Sequence, residues 1–347
     1  MGKITLGEVA IESKATWKSD KVGVPIVGLE HLEPGEITLS NWEIDSENTF
    51  TKKFSKGQVL LGRRRVYLRK AVIAPVDGIC SGDITVIEAI PGKILPELLP
   101  FVIQNDKFFD YAVQGSAGSL SPRVKWEHLK KYSFELPSID EQKVLANKLW
   151  AAYRLKESYK KLLSATDEMV KSRFIEMFGN PVTNDKNWET MPMKDIAPEV
   201  PSATKLAGSV WLLNLDMIES HSGQIIEKVY EDDSKMLSVA PFDTGNVLYS
   251  KLRPYLNKVV VPDECGYATT ELVLLRPNPE KLNRVFLSHL LRGDNFVNYA
   301  NSIATGTKMP RMPLGDLRKF NCILPPMDMQ LHFVEIAEQA DKSKYIN

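Results

Sequence analysis

Residues 57–78 read GQVLLGRRRVYLRKAVIAPVDG, and residues 245–266 read GNVLYSKLRPYLNKVVVPDECG. The two stretches are offset by 188 positions, and over 57–87 against 245–275 nine of 31 residues are identical with no gap. The same offset lays PRVKWEHLKKYSFELPSIDEQ (122–142) on PRMPLGDLRKFNCILPPMDMQ (310–330), with eight of 21 identical. Ordinary composition would give about three matches over both windows. Between the windows, Asp106, Phe108, Tyr111 and Gly118 recur as Asp294, Phe296, Tyr299 and Gly306, still in register. The chain is written twice. The period is far too long for a solenoid, so each copy is expected to be a domain plus its connection.

Each copy has the same internal order. Short apolar runs bounded by turn residues, such as VPIVGLEHL (24–32), GQVLLG and ITVIEAI (84–90), predict strands. Residues 97–114 and 286–302 carry the spacing of short helices. A small polar loop follows, SAGSLSPR (116–123) or ATGTKMPR (304–311), then a strand ending in Leu-Pro and a further helix.

The first of those final helices is the plainest element. Ser138 is a suitable N-cap with Glu141 as its capping-box partner, and no Pro or Gly interrupts residues 139–178 before Gly179, Asn180 and Pro181. Leu145, Leu149, Ala152, Leu155, Tyr159, Leu162, Thr166 and Met169 recur at spacings of three and four, a coiled-coil seam. Forty residues would make a rod of roughly 60 Å. The second copy starts the same way at Met327, with Phe333, Ile336, Ala337 and Ala340, and the sequence stops at Asn347. Antiparallel pairing of the two helices would set Met169 against Ile336 and Ala165 against Ala340. It would leave Leu145, Leu149, Ala152 and Leu155 as a stripe for another subunit or a second copy of the chain.

Composition narrows the class. The 347 residues hold 44 Lys+Arg and 44 Asp+Glu, with 43% apolar residues, enough for two domains with their own cores. Mean hydropathy is −0.20. No apolar run reaches the ~20 residues of a membrane span and the N-terminus lacks an apolar signal core, so a cytoplasmic protein is expected. Cys80, Cys265 and Cys322 are odd in number and far apart, which offers neither a disulfide scaffold nor a CxxC metal site.

The Leu-Pro strand ends running into long helices (LPSIDEQ, LPPMDMQ), together with the helix exit RFIEMFGNP (173–181), resemble the specificity subunit of type I restriction–modification systems. The resemblance covers nearly the whole chain. It implies an α+β protein with target-recognition domains at 1–138 and 182–326, a long spacer helix and linker at 139–181, and a second, shorter spacer helix at 327–347. It further implies that each domain reads one half of a split double-stranded DNA target. Antiparallel spacer helices would dock methyltransferase (modification) subunits, endonuclease (restriction) subunits would join them, and S-adenosylmethionine would belong to the modification subunit. The chain itself would need no cofactor and catalyse nothing.

The residues agree on chemistry. There is no GxGxxG and no GxxxxGK[ST]. Pro262-Asp263 with Glu271 resembles part of a nuclease metal site, but Val273 stands where the lysine belongs. The rival class is therefore an internally duplicated nuclease, or a scaffold that binds only protein. What stands out is basic: GRRRVYLRK (62–70) carries Arg63, Arg64, Arg65, Arg69 and Lys70 around Tyr67, and its counterpart carries Lys251, Arg253, Tyr255 and Lys258. Cations suit phosphates and guanine edges, and an aromatic packs on sugar. A strand with a solvated outer face would also explain any single charge. Positions shared by two domains that read different sequences suit backbone contact, or a common structural role, better than base readout. Two readings fit the polar loop. Ser116, Ser119 and Arg123, with Thr307, Lys308 and Arg311 in the second copy, could cradle phosphate, or form a turn in which Arg123 caps a carbonyl. Residues 30–36 and 216–224 differ between copies and are the candidates for base readout, through Glu30, His31, Asn214, Asp216 and His221. On the long helix, Lys143, Arg154, Lys156 and Lys160 would face a partner subunit.

Overall fold

The computed structural model describes residues 2–203, 206–232 and 238–344. Its contacts divide into two units, Met1–Tyr159 and Lys160–Asn347.

The first unit is built on two four-stranded sheets. In one, Ala10–Glu12, Ile84–Ala89, Val59–Gly62 and Ala71–Ile73 lie in that order, each neighbour antiparallel. In the other the order is Glu43–Ile44, Pro25–Val27, Gly78–Cys80 and Lys52–Phe54, with Pro25–Val27 parallel to Gly78–Cys80. Strand Val59–Gly62 is buried along its whole length because successive side chains serve different cores. Val59 and Leu61 pack with Leu99, Ile103, Phe108 and Phe109 of helices Leu99–Ile103 and Asp106–Gln114. Leu60 points the other way, into a core with Phe54, Val72 and Val86. The run 24–32 is not one strand: after Val27 it turns into a 3-10 turn, Leu29–His31.

The second unit repeats the central pairings. Leu60 pairs with Val86 and with Val72; Leu248 pairs with Leu274 and with Val260, each residue 188 positions on. Its two larger sheets are Val229–Asp232, Ser209–Leu213, Gly266–Thr269, Val239–Phe242, and Val259–Val260, Val247–Ser250, Leu272–Leu275. The outer strand that Ala10–Glu12 forms in the first unit is reduced here to one bridge, Glu199 to Leu275. Val247 and Tyr249 face helices Arg284–Arg292 and Asp294–Ser302, and Leu248 faces Trp211 and Phe242.

The long helix spans Ile139–Phe178, and its start has the capping box read from the sequence. The Ser138 amide and hydroxyl both donate to Glu141 Oε2, at 2.9 and 2.8 Å. Gly179, at φ +72°, ends it. The unit boundary at Tyr159 falls inside this helix. Its first half packs on the first unit through Gln142, Ala146, Leu149 and Trp150, with Tyr153 Oη donating to Glu36. Its second half packs on the second unit through Val170, Phe174 and Phe178, against Phe333, Val334, Ala337 and Ala340 of helix Met327–Lys344. Phe174 and Phe333 meet edge to face at 5.2 Å.

That packing corrects the expected helix pairing. Met169 is 53% exposed and Ala165 is exposed, so the buried face begins at Val170, one residue out of phase with the seam. A one-residue step rotates the contact by about 100°, and bulky Phe174 and Phe178 win that competition because each buries a large ring. Leu145, Leu155, Tyr159 and Leu162 are 40–60% exposed, whereas Leu149 is partly buried in the core of its own unit. Among the described residues no helix is long and apolar enough to cross a membrane.

Candidate nucleic-acid interface

The basic cluster is not a strand. The strand that precedes it ends at Gly62, and Val66–Leu68 forms a 3-10 turn bracketed by Arg65 and Arg69, both left-handed at φ 51° and 53°. The second unit repeats it: Pro254–Leu256 lies between Arg253 and Asn257, both at φ 49°. None of the four is glycine, so each costs about 1–3 kcal/mol that its surroundings must offset. The bracket closes the turn so tightly that Tyr67 and Tyr255 stand at its apex, 51% and 45% exposed.

The turn and the small polar loop, far apart in sequence, are joined in both units by the same backbone bonds. Arg65 N donates to Pro122 O and Arg253 N to Pro310 O, both at 2.7 Å. Val124 N donates to Arg63 O at 3.0 Å, and Met312 N to Lys251 O at 2.9 Å. Each loop is closed by its own bridge, Ala117 to Arg123 or Thr305 to Arg311. Arg65, Tyr67 and Ser119 are thereby exposed on one platform, and Tyr255, Thr307 and Lys308 on the other.

Several expected contact residues are already engaged. Lys70 Nζ donates to Leu29 O at 2.8 Å and Lys258 Nζ to Leu215 O at 2.6 Å, each gripping the first residue of the 3-10 turn in the variable loop. Burial draws the Lys258 ammonium below the usual lysine range. Arg69 is paired with Asp106 and Asp110 at 2.5 and 3.0 Å. Ser116 Oγ donates to Ala112 O, closing the helix before it. Lys251 Nζ donates to Thr270 O. Arg63 Nε and Arg253 Nε are buried without a hydrogen-bond partner. Arg123 does not cap a carbonyl: its Nε and Nη2 hold Asp83 at 2.7 and 3.2 Å, and Arg311 holds Glu271 in the same way. From the sequence, Asp83 has no assigned role, and Glu271 counts only as part of a nuclease-like pattern, not as the partner of Arg311. The signal was there, because a carboxylate stands at position 83 and again 188 residues on.

The variable loops lie against the same platforms. His221, itself left-handed at φ 69°, donates its amide to Leu256 O at 2.9 Å, and Asp216, earlier in the same loop, is exposed. In the first unit Glu30 is exposed but His31 is not a surface reader. It is 8% exposed, and its Nδ1 accepts the Gly28 amide at 2.9 Å, because the 3-10 turn folds the ring inward. The carboxylates of the nuclease-like pattern are each occupied, Asp263 by Lys228 at 2.8 Å and Glu271 by Arg311. Among the described residues no group of three or more His, Cys, Asp or Glu could hold a metal.

No family model matches the chain. It is similar to the type I restriction enzyme EcoDI specificity subunit of Escherichia coli, 23% identical over 265 residues, which covers 65% of this chain. The match takes in 59% of that protein, so it spans about three fifths of the relative's length. Among solved structures, the S subunit of a type I restriction–modification system from M. genitalium superposes with a TM-score of 0.56 at 12% identity, covering 99% of this chain and 90% of its own. A second, from work on complex assembly and conformational transition of the type I R-M system, gives 0.50 at 18% identity, covering 99% and 91%. These likenesses carry the fold.

Proposed function

We propose, for a chain that is a relative of the type I restriction specificity subunits in sequence and shares their fold, that it selects the double-stranded DNA sequence on which separate modification and restriction subunits act. Each unit reads one half of a bipartite target. The observation that carries this reading is the twinned platform: a strained basic turn bonded to a small polar loop by the same backbone contacts, at 2.7–3.0 Å, in both units. Arg65 and Arg253, with Lys308 in the second unit, offer cations to phosphates, and Tyr67 and Tyr255 offer rings to the sugars between them. Platform features common to both units hold register on the backbone. The loops at 30–36 and 216–224, which differ, read bases.

The chain contributes no catalytic group in this reading. Methyl transfer, with S-adenosylmethionine, belongs to the modification subunits, and cleavage to the restriction subunit. The exposed side of the long helix, with Lys143, Arg154, Lys156 and Lys160 flanking Leu145, Ala152 and Leu155, is their docking surface or that of a second copy. The test is methylome mapping of cells carrying the complete system. Two unlike half-sites at a fixed separation are expected, and exchanging residues 182–326 for those of a relative should change one half only. A purified chain that cut or methylated DNA by itself would overturn the reading.

A further inference from the structure

The two platforms share an unexpected feature: each carries a carboxylate bound to its own loop arginine. Asp83 Oδ1 accepts from Arg123 Nε at 2.7 Å and Oδ2 from Nη2 at 3.2 Å. Glu271 takes the same edge of Arg311, with Nη2 at 2.8 Å and Nε at 3.3 Å. Between the copies the acid has changed length by one methylene while the pairing has not. Arg64 Nη1 also stands 3.6 Å from Asp83. All four partners are open to water, at 21–43% side-chain exposure, so the pairs add little to stability. Nor do they hold the loop. Ala117 and Arg123 exchange two backbone bonds at 3.1 and 2.9 Å, and Thr305 and Arg311 two at 2.9 Å.

The geometry of the pair is that of phosphate recognition. A guanidinium edge presents two parallel N–H donors, and a carboxylate or a phosphate fills it with two oxygens in the same fork. We infer that Asp83 and Glu271 are built-in competitors for DNA phosphate: each occupies the arginine edge that a phosphate would take, and so limits how tightly its platform grips DNA of any sequence. This rests on the DNA-recognition function proposed for the platforms. A bound phosphate must displace the carboxylate, and the released negative charge then stands near the DNA backbone. A single genome offers millions of competing non-specific sites, so a limit on backbone affinity keeps the subunit free to move among them.

The experiment uses the full chain and a long, mixed-sequence fluorescent duplex, titrated over a range of salt concentrations. Asp83→Asn and Glu271→Gln should each tighten binding several-fold and steepen the dependence of log K on log salt by about 0.9, one additional phosphate neutralised. In an Arg311→Gln background the steeper salt dependence from Glu271→Gln should disappear, since the competed edge is gone, leaving only the smaller gain from relieving the carboxylate's repulsion of the backbone. Circular dichroism and melting identify any variant that has lost its fold, and Glu271→Ser then serves in its place. Unchanged or weaker binding by the folded acid variants, with Arg65→Ala still weakening the duplex complex, would overturn this inference alone. If Arg65→Ala and Arg253→Ala also left binding untouched, the DNA reading itself would fall.

Discussion

Lys70 Nζ lies 2.8 Å from the carbonyl oxygen of Leu29, and this bond is repeated by Lys258 on Leu215. A lysine kept at the same place in two domains thus has a structural role, tying the basic turn to the loop that varies.

That role separates Lys70 from Arg65. Lys70→Met should cost about 1–2 kcal/mol of stability, the worth of a charged hydrogen bond to a partly exposed carbonyl, and leave the salt dependence of DNA binding nearly unchanged. Arg65→Ala should leave stability alone, weaken matched and mismatched DNA equally, and flatten the salt slope by about 0.9. Chemical denaturation together with a salt titration of both variants distinguishes the roles, and a flattened slope for Lys70→Met would reverse them.

Base preference should respond to the variable loop. His221 and Asp216 sit beside the second unit's basic turn, so replacing either is expected to alter preference in one half-site by ~1–3 kcal/mol per disturbed base pair. Methylation mapping or competitive binding would read it. An equal loss on all sequences would place these residues with the backbone contacts instead.

The spacer is expected to set separation, not sequence. Inserting or deleting one helical turn, about four residues, near Glu157 should change the gap between half-sites and leave each half-site intact. Altered half-sites would contradict this division of labour.

Exposure divides the long helix into two kinds of apolar residue. Leu145 and Leu155 are 40% and 57% exposed, so changing both to Asp should leave the melting temperature near that of the parent and weaken the complex with the modification subunit, or self-association, in light scattering. Phe174 is buried at the contact with Phe333, and Phe174→Ala should cost about 3–5 kcal/mol. A doubly substituted chain that still assembled normally would show that this face is not an interface.

Burial pushes the Cys80 and Cys322 thiols up to about 12, while Cys265 is exposed. Thiolate is the reactive form, so near pH 8 a thiol reagent should label Cys265 in the native chain and all three cysteines after denaturation. The sign of the linkage follows: the folded state keeps both buried thiols neutral. It therefore loses stability as pH rises above the ordinary thiol value of about 8.5 toward 12. Fast native labelling of Cys322 would show that its core opens.

The duplication, the limits of the 40-residue helix and its Ser138–Glu141 cap were legible in the sequence because each depends on neighbours in the chain or on a repeat that needs no structure to be seen. Which face of that helix is buried was not legible. Leu145 and Met169 continue a regular seam, yet Gln142, Ala146, Val170 and Phe174 are the residues covered, because each half packs against a different unit with its own shape. The left-handed brackets at Arg65 and Arg69 leave no local mark, since arginine has no preference for that conformation and adopts it here only under tertiary constraint. Charge along the sequence likewise pointed to the basic and aromatic residues around two turns, but not to which cations remain available. That was decided by partners 37 to 43 residues away, at Leu29, Asp83 and Asp106 among others, which only folding brings within hydrogen-bond distance.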